Sequence, residues 1–243
     1  MTIYQLYKLA DFILGVHRNG KGITVPNFED LWNRRQVDYF QEVYKLYEID
    51  TDNSDSLRLF KTILEQTDIT VVSNSYFELP TNYFHYSAMT YIDDDSNCYA
   101  FDMVTKSQYV MRKASTLTAP SLTHPICYEF DNKLYIYPHS SVLDLEIQYL
   151  RYPNDIVLDF YIDSDGEQQF LDSGDEHVWG DDEYDADGTA KSSADGTHTS
   201  LTTESEWGGD DNLKILTYIL RDMGVSMTKL DVYKQAEIQR NED

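Results

Sequence analysis

Residues 116–153, TLTAPSLTHPICYEFDNKLYIYPHSSVLDLEIQYLRYP, decide the fold class. Leu134 and Ile136, then Leu143, Leu145, Ile147 and Tyr149, alternate with Tyr135, Tyr137, Asp144, Glu146, Gln148 and Arg151. That period of two is the mark of half-buried strands. Asp131-Asn132-Lys133 supplies a turn before the first strand, and Pro138 with Ser140-Ser141 separates it from the second. These strands are the expected core, and the rest of the chain flanks them.

Upstream, Ile3, Leu6, Tyr7, Leu9, Ala10, Ile13 and Leu14 recur at helical spacing until Gly15. A second helix is expected after Pro26, with Asn27 as its N-cap, Phe28, Leu31, Trp32, Tyr39, Val43 and Leu46 as its apolar stripe, and an end near Glu48. Asp52-Asn53-Ser54 reads as turn and cap before a third helix with Leu57, Phe60, Ile63 and Leu64 inward. From Ile69 β-branched residues take over. Tyr76-Phe77-Glu78-Leu79-Pro80 reads as an edge strand stopped by proline. Residues 83–92 read as an aromatic-rich strand or a short helix after Pro80, and the turn at Asp93 to Asn97, leading to a partner at 98–104, favours the strand. Residues 108–115 hold the local basic pair Arg112-Lys113.

Downstream, residues 156–162 are mostly apolar and lead to a turn at Asp163-Ser164-Asp165-Gly166. Residues 172–211 are dominated by Asp, Glu, Gly, Ser and Thr, and a long exposed acidic loop or arm is expected there. Within it VWGDDEYD (178–185) and EWGGDDNL (206–213) are near copies, the pattern either of an insertion that duplicated a Trp-Gly-Asp junction or of chance in so biased a segment. Leu213, Ile215, Leu216, Ile219, Leu220 and Met223 then mark a helix with Asn212 as N-cap and Gly224 as C-cap. A last helix is expected from about Ser226. The class expected is therefore α+β: N-terminal helices (1–68), a central antiparallel β-sheet or sandwich (69–171), the acidic arm (172–211) and a C-terminal helix pair (212–243).

The 243 residues, 41% hydrophobic and 14% aromatic, suffice for one substantial core. Nineteen basic against 43 acidic residues give a formal charge of −24. Such a chain is not built to grip nucleic acid through a phosphate-neutralising surface. The N-terminus has no basic region or cleavage site, and no apolar run approaches about 20 residues, so neither export nor membrane spanning is expected. Cys98 and Cys127 show no ligand spacing and are expected reduced and buried. His17, His85, His124, His139, His177 and His198 show no metal-binding spacing, and no nucleophile elbow, phosphate loop or dinucleotide motif occurs. No catalytic residue, metal or cofactor is therefore assigned. Glu183, Asp185, Asp187 and Gly188 copy the start of a calcium-binding loop, but Ala194 stands where its closing glutamate belongs. The 20 tyrosines exceed what a core needs and suit protein interfaces, those on the N-terminal helices (Tyr4, Tyr7) among them.

Several motifs together resemble the ring, or head-to-tail adaptor, proteins in the tails of crAss-like short-tailed bacteriophages. They are Leu79-Pro80 with Tyr83-Phe84-His85, Lys113 and Ser115 with Pro120 and His124-Pro125, Leu134-Tyr135-Ile136-Tyr137-Pro138, and Ile147 with Tyr149-Leu150-Arg151-Tyr152-Pro153. A Gly224-Val225 helix junction is also similar. The resemblance spans about residues 69–162 and the last thirty, and departs from the family in the length of the segment 172–211. It implies a structural virion protein, assembled in the bacterial cytoplasm, that forms a homo-oligomeric ring, twelvefold to match a portal. Its partners would be further copies, the portal protein and neighbouring tail ring proteins, with viral DNA passing through unbound. On that reading Arg112, Lys113 and Arg151 are interface cations, and Trp179 and Trp207 anchor the acidic arm. The competing reading is a module whose acidic arm holds a basic protein or calcium.

Overall fold

The computed structural model describes residues 1–17, 22–49, 56–65, 71–72, 76–92, 96–138 and 144–225. The chain divides into two compact units: Met1–Leu59 with Pro153–Asp243, and Phe60–Tyr152. In sequence the second is inserted into the first. Both α and β structure are present, as the α+β reading requires.

In the first unit, helix α1 (Ile3–His17) opens with reciprocal bonds. Gln5 N–H donates to Thr2 Oγ1 (3.3 Å), and Thr2 N–H donates to Gln5 Oε1 (3.0 Å). This capping box satisfies two donors that a helix start leaves unpaired. The predicted stripe, Ile3 to Leu14, is the face it buries. Helix α2 (Val25–Ile49) begins before the expected Asn27 cap, because Pro26 fits the first turn and Thr24 C=O already accepts from Phe28 N–H. Phe28, Trp32, Tyr39, Phe40 and Val43 are buried on it, whereas Leu46 is exposed.

The polar residues of α2 do as much as its apolar stripe. Glu29, Asn33 and Gln36 lie on adjacent turns and face the chain at 154–158. Asn33 both donates to Ile156 C=O (3.1 Å) and accepts from Ile156 N–H (2.8 Å). Gln36 Nε2 donates to Asn154 C=O (2.9 Å), and Leu158 N–H donates to Glu29 Oε1 (2.5 Å). The helix thus serves this extended segment as a neighbouring strand would. Burial raises the Glu29 carboxyl above its usual range, against the pull of the Leu158 N–H.

The inserted unit is a β-sandwich. Its strands are β1 (Lys61–Glu65), β2 (Val71–Val72), β3 (Tyr76–Glu78), β4 (Tyr83–Ile92), β5 (Cys98–Ala100), β6 (Asp102–Met103), β7 (Ile126–Phe130), β8 (Lys133–Tyr137) and β9 (Asp144–Arg151), with helix α3 (Lys106–Ala114) after β6. One sheet runs β1-β9-β4-β5 and the other β2-β3-β8-β7-β6, antiparallel except for β6 on β7. Met89, Tyr91, Leu145 and Ile147 of the first meet Phe77, Cys127, Leu134 and Ile136 of the second in one core. The alternation read in β8 and β9 is thus the alternation between core and outer face; Leu143 lies outside the described residues. Asp131 and Asn132, both at positive φ, make the β7–β8 turn.

Four expectations change here. The third helix is a short turn at Arg58–Phe60 and then strand β1, because β9 offers Lys61–Glu65 a full antiparallel partner; its proposed cap, Asp52 to Ser54, lies outside the described residues. β3 is not an edge, since β2 pairs with its outer side. Residues 98–104 divide between the sheets: β5 pairs with β4, the buried Phe101 turns the chain, and β6 joins β7. Cys98 is exposed on the edge strand β5, while Cys127 is buried, its thiol pushed up to about 12 by burial.

The acidic segment returns to the first unit and is not a structureless arm. It forms β12 (Glu176–Val178), β13 (Glu183–Asp185), β14 (Ala190–Lys191) and β15 (Thr197–Thr199), which with β10 (Phe160–Ile162) and β11 (Gln168–Phe170) just before it pair as β11-β10-β13-β14 and β12-β15. Strands of two or three residues are too short to show periodicity, which is why composition alone suggested a loop. Helix α4 (Gly209–Asp222) starts before the expected Asn212 cap. Asn212 instead lies buried, accepting from Ser205 Oγ (2.7 Å) and donating to Trp207 C=O (3.1 Å). The helix ends as expected at Gly224, φ +86°, where Val225 N–H bonds to Leu220 C=O and Gly224 N–H to Arg221 C=O. The helix expected from Ser226 lies outside the described residues. The two Trp-Gly-Asp copies share a buried tryptophan but lead into strand β13 and helix α4.

Asn33→Ala removes both partners of the Ile156 peptide and is expected to cost about 2–4 kcal/mol in urea unfolding; a loss below about 0.5 kcal/mol would show that the helix-to-segment bonds contribute little. Trp207→Ala empties the space beside Tyr39 and Phe40 (ring centroids 4.9 and 6.4 Å away), and a loss of about 3–5 kcal/mol is expected from the same measurement.

Candidate assembly surface

Helix α3 is set by its ends. Thr105 Oγ1 accepts from Gln108 N–H (3.3 Å), and Gln108 Oε1 accepts from Thr105 N–H (3.1 Å), a second capping box. One side chain, Tyr109, is buried; its hydroxyl donates to Ile136 C=O (3.4 Å), and its ring meets Tyr128 at 4.5 Å. Burial foremost, then the neighbouring tyrosines, push its hydroxyl up to about 12. Val110 and Met111 face outward, Met111 with 71% of its surface exposed.

The loop after α3 carries further exposed apolar side chains. Ser115 Oγ accepts from the N–H groups of Leu117 (3.2 Å) and Thr118 (3.0 Å). Ser121 and His124 form a two-way backbone bridge, and the Tyr91 hydroxyl donates to Leu122 C=O. The loop backbone is therefore tied down at both ends, yet Leu117 is 96% exposed and Leu122 half exposed. Four large apolar side chains in thirteen residues, on backbone held in place, form a concentration that water does not favour.

The charge around them is local too. Residues 103–128 contain Lys106, Arg112 and Lys113 and no carboxylate. Arg112 pairs with Asp102 at 3.1 Å, across a shallow hollow that Leu117, Pro120 and His124 also line. Lys106 lies over the Phe130 ring (3.9 Å) and Lys113 over the Tyr137 ring (5.0 Å). Neither lysine has a carboxylate partner among the described residues. By contrast, residues 159–211 hold 17 carboxylates against the single Lys191, a net of −16 out of the chain's −24.

Many of those carboxylates bind their own backbone. Asp163 Oδ1 accepts from Asp165 N–H (3.0 Å) and Glu167 N–H (2.9 Å), and Gln169 donates to its other oxygen (2.8 Å). Asp185 accepts from Thr189 N–H (2.8 Å) and pairs with Lys191 (3.1 Å). Asp195 accepts from Ser192 N–H (2.8 Å) and Ser192 Oγ (2.9 Å). Gly166, Gly188 and Gly196, all at positive φ, complete these Asp-Gly turns. The calcium-loop spacing at Glu183, Asp185, Asp187 and Gly188 is thus the end of β13 and its hairpin turn. Among the described residues no three His, Cys, Asp or Glu side chains gather as metal ligands would.

The other residues singled out from the sequence belong to other parts of the chain. Trp179 is buried, its ring meeting His177 (5.2 Å), His198 (5.5 Å) and Tyr161 (6.2 Å), with Lys191 over it at 5.5 Å. The histidines are held in turn by Glu183 (2.8 Å) and by Asp159 (2.6 Å). Sequence spacing missed this cluster because its members come from separate short strands. Trp207 is buried against α2. Tyr7 is a correction to the interface reading: its ring is buried against Phe28 and Phe170, and its hydroxyl donates to Ile23 C=O (3.2 Å). Tyr4 is half buried against Phe170 (4.7 Å). Arg151 bonds to Tyr152 C=O (3.2 Å) and lies over Phe60 (5.8 Å).

No family model matches the sequence, and no curated protein matches it either. Four of the motifs that carry the phage resemblance fall on the sandwich unit, at the β3–β4 turn, α3 with its loop, β8 and the end of β9.

The turn carboxylates set a pH dependence. Asp163 is held below the usual carboxylate range by backbone N–H groups, that of Glu167 first, and by Gln169; Asp195 is lowered by Ser192. For Asp185 and Glu183 burial works upward, but the Thr189 N–H with Lys191, and the Gly180 N–H with His177, outweigh it. Groups lowered on folding stabilise fully above their unfolded values and lose that contribution as pH falls through the folded ones. Melting temperature should hold from neutrality to about pH 5 and fall below about pH 4. In Asp163→Asn the acid-side fall should be shallower, read by tryptophan fluorescence; an unchanged slope would remove Asp163 from this account.

Proposed function

We propose that this chain is a structural virion protein, a subunit of an oligomeric ring in a phage head-to-tail connector or tail barrel, joining portal to tail. The observation that carries this reading is the separation of its charge: a net of −16 in residues 159–211, and a basic, apolar stretch of sequence without a carboxylate at 103–128. A ring closes through heterologous contacts, in which two different surfaces of the same chain meet. A chain carrying both an acidic and a basic-apolar surface has what such contacts need. The overall charge of −24 supports the DNA-conducting part, since clustered carboxylates repel passing phosphates. The motif resemblance supports the same role, and twelvefold symmetry follows from a match to the portal.

The test is native mass spectrometry of the purified chain together with imaging of particles that contain it. Closed rings, in solution or within the particle, are the expected result. A monomer with no place in any particle would overturn the reading and favour an acidic binding module, for which a chelator-sensitive melting temperature is the next measurement.

A further inference from the structure

We propose that the outer face of α3 and the loop after it form the docking surface for a second copy of this chain, which presents its acidic segment 159–211. The proposal rests on the ring reading and adds the identity of the two surfaces that meet. Three observations point to this occupant. Val110, Met111, Leu117 and Leu122 are each exposed, within thirteen residues, on a backbone pinned by Ser115, the Ser121–His124 bridge and the Tyr91 hydroxyl. A partner meeting them therefore orders little that is not already ordered, which lowers the entropic cost of association. Lys106, Arg112 and Lys113 lie in the same stretch of sequence, which holds no carboxylate of its own, although Arg112 pairs with Asp102 just before it. The complementary charge is present on every copy, in a segment with 17 carboxylates and one lysine.

The physics separates this partner from nucleic acid. Three cations are a small phosphate-neutralising set, and they belong to a chain of net −24 that repels a polyanion at longer range. The acidic segment of another copy brings its carboxylates on short hairpins whose turns are already fixed by Asp163, Asp185 and Asp195. Contact would then place the lysines among carboxylates and bury the leucines at the centre, with the charges as rim. Because the two surfaces differ, the contact repeats from copy to copy.

The experiment uses the full chain, half of it isotopically heavy, in sedimentation velocity over a concentration series and then in carbodiimide cross-linking read by mass spectrometry. The expected result is self-association that weakens with added salt, and mixed heavy-light cross-links from Lys106 or Lys113 to carboxylates of residues 159–211. Leu117→Asp should weaken association by at least about tenfold, and Lys106→Glu with Lys113→Glu by a similar factor. All three side chains are exposed, so melting temperature should be unchanged in Leu117→Asp and fall only slightly where the lysines leave the Phe130 and Tyr137 rings, and Leu117→Ala provides a milder second variant. Association that survives these substitutions, with cross-links elsewhere, would overturn this face and leave the ring reading standing. A chain that stays monomeric throughout would overturn the proposal as well, while particle imaging decides the ring independently. Retardation of a DNA duplex that the lysine substitutions abolish would overturn it in favour of a nucleic-acid surface.

Discussion

The first unit depends on one helix acting as the hydrogen-bonding partner of an extended segment. Buried backbone must be paired, and residues 154–158 have no sheet to join over most of their length. Asn33, Gln36 and Glu29 supply the donors and acceptors instead, from adjacent turns of α2. Around this ladder the other contacts follow. Arg35 reaches Asp222 with two nitrogens (2.5 and 2.6 Å), Lys214 and Tyr218 of α4 both meet Glu42, and the Tyr39 hydroxyl donates to Asp211 (2.6 Å). Glu204 places its carboxylate on the Ile3 N–H at the start of α1 (2.7 Å), where a helix favours negative charge. Residues distant in sequence are thereby joined through α2 and its neighbours.

Carboxylates in this protein serve two purposes that composition cannot separate. Some are structural: at Asp163, Asp185 and Asp195 they substitute for backbone acceptors and make tight turns from short pieces of chain. The charge is a consequence of that use as well as a property of the surface. What the turns build is a dense array of negative potential, and against it the basic stretch around α3 stands out. The separation matters more than the total, because −24 spread evenly would only repel other copies.

Tyrosine likewise divides between roles. On the outer side of the sandwich, Tyr76, Tyr135 and Tyr128 form a row with centroid separations of 5.3 and 4.7 Å, and Tyr109 of α3 joins it at 4.5 Å. Lys133 lies over Tyr76, and Lys113 over Tyr137 beside the row. Stacked rings cover one another, so much of the tyrosine excess is consumed in covering a sheet face. Tyr7 and Tyr39 are interior residues with hydroxyls paired inside the fold.

Period and end signals are local, and where they run long enough they were legible in the sequence. The apolar stripes of α1 and α4, the Gly224 stop, the Asp131-Asn132 turn and the alternation in β8 and β9 can all be read from residues a few positions apart. Pairing is not local. That Thr62 and Ile63 lie in a strand depends on β9 being beside them; that β3 is interior depends on two residues, Val71 and Val72; that Cys98 is exposed depends on β5 having no outer neighbour among the described residues. Strands of two or three residues carry no periodicity at all, so the hairpins of the acidic segment, and the cluster of His177, His198 and Trp179 they create, exist as a pattern in space alone. Of the candidate surface, the sequence by itself determined the charges Arg112 and Lys113. Only the tertiary structure decided that Tyr109 is the one side chain α3 buries, and so that Val110, Met111 and Leu117 are left facing water beside them.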